Sequence, residues 1–144
     1  MGKINFGRAV LGGLLAGLIL NIGEYLLSGV LLGKQFSDAL AALNRSVPTG
    51  TETIAFYAFL YFALGVFTVW IYAAIRPRFG PGPMTAICAG LIVWFLASLF
   101  PSALMFPMDV FPSRLLSYGI VWEFFEFLIA ALAGAWIYRE EAQQ

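Results

Sequence analysis

The sequence has no histidine, one cysteine and few charges. Each shortage excludes something. Without imidazole there is no histidine-ligated haem, no Ser-His-Asp catalysis and no histidine proton relay. Most zinc, copper and non-haem iron sites lose their commonest ligand. No cofactor is therefore expected. With Cys88 alone, no internal disulfide can form. Charged residues are 11% of the chain, against about 25% in a soluble domain. So few charges cannot clothe a surface in water. The formal net charge is zero, which lacks the basic footprint that nucleic acid requires.

What is abundant is apolar: 61% of the 144 residues are hydrophobic. The solvent that suits such a chain is lipid. The length allows one domain, residues 1–144, with no separate soluble unit. Lys3 and Arg8 precede an apolar run as they would in a signal peptide. The run is longer than a signal core and no small-x-small site closes it. We read it as a retained first span.

Four apolar stretches stand out: 9–32, 54–75, 84–100 and 115–138. Each is near the roughly 20 residues a helix needs to cross the hydrocarbon. Backbone groups in lipid must be paired internally, so these runs are helices. The expected fold is all-α, a four-helix up-down-up-down bundle. Local signals mark its ends. Thr49 with Glu52 fits a capping box before the second span. Gly80-Pro81-Gly82 makes a turn, and Pro83 suits a first helical turn. Pro101 ends the third span, and Pro112-Ser113 opens the fourth.

Lys3, Arg8, Arg76, Arg78 and Arg139 fall on one side of the bundle, and Lys34, Arg45 and Arg114 on the other. The positive-inside rule then puts both termini in the cytoplasm, for a multi-pass protein of a cytoplasmic (inner) membrane. Trp70, Tyr72, Trp136 and Tyr138 precede the inner arginines as an aromatic belt would. Phe36, Leu40 and Leu43 recur with polar residues between them, which predicts a short amphipathic helix on the outer surface. The apolar, proline-punctuated stretch 101–112 is expected to dip into the outer interface or to pack over the bundle.

Acids inside the spans carry the most information: Glu24 in the first, Glu123 and Glu126 in the fourth. A charge facing lipid at the bilayer centre costs at least about 2.5 kcal/mol, so these residues should face the bundle interior. Gly13, Gly17, Asn21, Glu24 and Ser28 step by four, four, three and four, along one helical face. Gly119, Glu123, Glu126, Ala130 and Gly134 form a matching stripe in the fourth span. Small residues lie at the cytoplasmic end of each stripe and acids at the other. We expect Gly13, Gly17, Gly119, Ala130 and Gly134 to pack the first helix on the fourth. Glu24, Glu123 and Glu126 would then converge about 15 Å below the outer interface, with Asn21 and Tyr61 as partners and Ser98 at the same level. No Lys or Arg lies within the spans to neutralise them. Carboxyls so placed hold protons, share them, or bind a cation.

Asn21-Ile22-Gly23-Glu24-Tyr25, the following Leu32-Gly33-Lys34 and the closing Ala133-Gly134-Ala135-Trp136-Ile137-Tyr138 resemble small bacterial four-helix membrane proteins of unknown function. The resemblance implies the fold and no activity. Three roles are compatible with these residues. The first is a structural, accessory or small-ligand-binding bundle, alone, as a homo-oligomer or in a larger membrane complex. There the acids act as polar glue between helices. The second is a proton- or cation-coupled transporter or channel. The third is an enzyme on a lipid-like substrate, with a glutamate as base; no catalytic residue is assigned.

Overall fold

A computed structural model describes residues 4–139. Among them every regular element is helical, and four helices are long and apolar enough to cross a membrane: Phe6–Leu31, Thr51–Phe79, Pro83–Met105 and Ser113–Ile137. Span one is α1 (Phe6–Glu24) continued by a π-helical turn, Tyr25–Leu31. A short helix α2 (Gly33–Ala42) follows, then span two, α3 (Thr51–Phe79). Span three is α4 (Pro83–Trp94), a second π turn (Phe95–Leu99) and α5 (Phe100–Met105). Span four is α6 (Ser113–Ile137).

The boundaries have local causes. Asn5 caps α1 by accepting from the Arg8 N–H at 3.0 Å. Gly80 at φ 82 closes α3, donating its N–H to the Arg76 carbonyl. The Thr85 hydroxyl donates to the Gly80 carbonyl and fixes the following turn. Pro83 is the first residue of α4, where its missing N–H costs nothing.

Three expectations need correction. The capping box at Thr49 is not formed: α3 begins one residue later than that motif requires, with Gly50 as N-cap and no side-chain cap. Pro101 does not end span three. The Phe100 N–H donates to the Phe95 carbonyl, five residues back. This widened π turn precedes the proline, whose ring would otherwise crowd the carbonyl four residues before it. Helix α3 likewise runs through Pro77 to Phe79. Finally, Tyr72 and Tyr138 are not belt residues. Both are buried, edge to face with centroids 5.8 Å apart. Their hydroxyls accept from the Gly82 and Asn5 N–H groups. Trp70 and Trp136 do face outward.

The bundle is tightest near the end that carries Asn5 and Tyr138. A Cβ on Gly13 or Gly17 would strike the backbone of Val66 or Phe62, and one on Gly65 would strike Gly17 and Gly13. Span one therefore lies backbone to backbone on span two. A second face of α1, at Gly12 and Ala16, meets Gly134 of α6. Gly90 of α4 lies on Phe127 and Ala131 of α6. Leu20, Val69, Ala130 and Phe127 fill the space between. At the opposite end, α2 folds back on the bundle. Leu27, Leu32, Ala39 and Leu115 form a separate cluster there, with Phe36 against Phe111 at 6.4 Å and Trp122 beside them.

Candidate functional site: an intramembrane carboxyl cluster

The cluster lies between these two regions, at the level where both π turns begin. Glu24 is the last residue of α1 before its π turn. Ser98 sits inside the other π turn. Segments of this kind often occur at functional sites, because the extra residue redirects side chains that a regular helix would aim elsewhere.

The three glutamates are near enough to act on one another electrostatically, and Tyr61 of α3 joins them. Glu24 is in polar contact with Tyr61 and Glu123, and accepts from the Ser28 hydroxyl at 3.4 Å. Glu123 lies beside the Ser98 hydroxyl. Four spans thus contribute: Glu24 from the first, Tyr61 from the second, Ser98 from the third, Glu123 and Glu126 from the fourth.

Glu126 differs from the other two. It is buried, with 7% of its surface exposed, and neither carboxyl oxygen makes a hydrogen bond. Its carboxyl lies flat against Gly23, in the space a side chain there would fill. The Trp122 indole N–H is close by without forming a hydrogen bond of standard geometry. The Ser98 hydroxyl, 2% exposed, is also unbonded. Buried polar atoms are nearly always paired, so groups like these call for an explanation. Asn21 is different again. Its amide donates to the Ala58 carbonyl of α3 at 3.3 Å and to the Gly17 carbonyl at 2.8 Å. That ties spans one and two and leaves Asn21 next to the cluster, engaged in packing.

The small-residue stripes behave unlike the expectation. Gly13 and Gly17 pack on span two and not on span four, because the α1 face meeting α6 is set one residue away, at Gly12, Ala16 and Gly23. A Cβ on Gly119 would meet only Glu123 of its own helix, at 3.9 Å, so Gly119 brings no helix close. Ala130 and Gly134 are buried, and Gly134 meets α1. Gly23 was the residue to find. Its signal was a second small-residue row, Gly12, Ala16 and Gly23, running beside the more obvious one.

A groove runs along the same helix pair on the bundle's flank. One hollow of about 430 Å³ is lined by Ile19, Ile22 and Gly23 of α1 and by Trp122, Phe125 and Glu126 of α6. A second, of about 470 Å³, shares Trp122 and Phe125 and continues past Leu27 and Leu31 toward Tyr118. Trp94, by contrast, is a core residue. Its indole donates to the Ile120 carbonyl at 3.1 Å and its ring stands edge-on to Phe124.

Among the described residues, no three His, Cys, Asp or Glu side chains stand close enough to hold one metal ion. No family model, no curated protein and no solved structure matches the chain.

Proposed function

We propose that the protein is a single-domain, multi-pass membrane protein that binds protons or another cation within its bundle, at Glu24, Glu123, Glu126 and Tyr61, and couples that binding to transport. The carrying observation is Glu126. A structural acid earns its place by hydrogen-bonding one helix to another, and Glu126 makes no such bond; the polar group beside it is Trp122 of its own helix. Asn21 already supplies such a bond between spans one and two. Three carboxyls within reach of one another, with arginines only in the end turns of the spans, call for a positive partner.

The orientation we propose places both termini in the cytoplasm of a cell with the bundle in its inner membrane, by the bias of Lys and Arg. An up-down-up-down course accords with the packing. Gly12 meets Gly134 whereas Gly23 meets Glu126, so contacts climb one helix as they descend the other. The carboxyl cluster then lies in the outer half of the membrane. The partner surfaces are lipid and, through the exposed Phe56, Phe59, Phe67 and Trp70 of α3, further copies or other membrane subunits.

Proteoliposomes test the reading. Wild-type protein should dissipate an imposed proton or cation gradient. The variant carrying Glu24→Gln, Glu123→Gln and Glu126→Gln should not, while remaining folded by circular dichroism. Equal and flat flux for both, across pH and across cations, would leave a structural role in its place.

A further inference from the structure

Glu126 belongs to two places at once. Its side chain lines the flank groove between α1 and α6, and it lies within electrostatic reach of Glu24 and Glu123 inside the bundle. No hydrogen bond holds its carboxyl in place. It is therefore the point where an apolar surface open to the bilayer touches an acidic interior. We propose that the groove is a lateral binding site for a lipophilic organic cation, whose apolar body lies along α1 and α6 while its positive centre meets Glu126.

This rests on the cation reading above and names the class of cation. Three features select it. The hollow at Glu126, about 430 Å³, is within the range of small-molecule sites. Its walls are hydrocarbon and aromatic: Ile19 and Ile22 face Trp122 and Phe125. A small hydrated ion gains nothing from such walls, whereas an organic cation loses its water readily and is attracted to the faces of aromatic rings. The polar groups at the closed side are acids, and the arginines of the spans, Arg8, Arg76, Arg78 and Arg114, stand in the end turns of their helices, away from it. An anionic lipid or fatty acid would find no cationic partner there. A neutral apolar molecule would leave the carboxyl as unpaired as it is now.

The test uses two probes of one shape and opposite charge, tetraphenylphosphonium and tetraphenylborate. The full chain is held in nanodiscs of phosphatidylcholine, which has no net charge, and binding is followed by equilibrium dialysis. We expect saturable binding of the phosphonium at one site per chain and only linear partitioning of the borate. Glu126→Gln should weaken phosphonium binding at least tenfold. Ile22→Trp should fill the groove from its exposed side and weaken binding as much, without touching the carboxyls. Non-saturable phosphonium uptake, equal binding of the two probes, or binding unchanged in either variant would overturn the proposal. A gradient still dissipated in proteoliposomes, alongside any of those results, would keep the cluster as a proton site and remove only the groove's role.

Discussion

The carboxyl group of Glu126 occupies the space beside the Gly23 backbone where a side chain would otherwise stand. One helix thus gives up its side chain so that the next can place an acid between them. Gly23→Ala should push the carboxyl aside, at an overpacking cost of about 1–3 kcal/mol. Thermal unfolding in detergent checks the cost, and the gradient assay should report loss of function. Gly119→Ala is the control. Its Cβ meets only Glu123 of the same helix, so stability should hold, or rise by up to about 1 kcal/mol from the better helix propensity.

Glu126→Met makes the opposite case. Methionine has nearly the same length and needs no hydrogen-bond partner. Removing a buried polar group left unbonded should be neutral or stabilising, by about 1–3 kcal/mol. A raised unfolding temperature together with lost gradient dissipation would mark Glu126 as a residue kept for function at the expense of stability. A marked drop in unfolding temperature would show instead that the carboxyl holds the bundle together.

Gly65 sits where spans one and two touch through their backbones. A Cβ there would meet Gly13 and Gly17, with no flexible side chain to give way. Gly65→Ala should be the most damaging of these single changes, costing about 3 kcal/mol or more. Its unfolding midpoint should fall below that of Gly23→Ala, where the displaced group is the end of a side chain.

Asn21→Leu removes the hydrogen bond that the side-chain amide donates to the Ala58 carbonyl. Interhelical hydrogen bonds of this kind are worth about 0.6 kcal/mol on average in membranes. A small loss of stability with flux unchanged is expected. Abolished flux in a folded Asn21→Leu protein would move Asn21 from packing into the site.

The spans were legible because lipid imposes one rule, twenty or so apolar residues in a helix, and four runs obey it. Pro83 and the Gly80-Pro81-Gly82 turn were legible because their constraints are local. Span three's true length was not. Its helix passes Pro101 by way of a π turn, and no local propensity announces the extra residue. A π turn also carries the end of the first stripe. Ser28 lies within the π turn and is exposed, and it keeps contact with the stripe through its hydrogen bond to Glu24. The stripe did locate a tight interface; it could not say whose. Periodicity gives a face, and the partner depends on how the whole bundle closes. Glu24, Glu123 and Glu126 stood out because acids are rare in lipid-spanning helices. Gly23 did not, because its meaning appears only with Glu126 opposite.

The meeting of the Gly12 and Gly134 backbones has a mechanical consequence. Atoms that already touch cannot approach, and a seam without side chains has nothing to extend across a gap. A parting of spans one and four that kept this contact would pivot there. Gly23 lies eleven residues farther along span one, a lever arm of about 16 Å at the helical rise. A tilt of about 10° at the fulcrum would separate the pair by about 3 Å at Glu126. The backbone contact of the pair thus lies far from the acid, where a small tilt would be felt most.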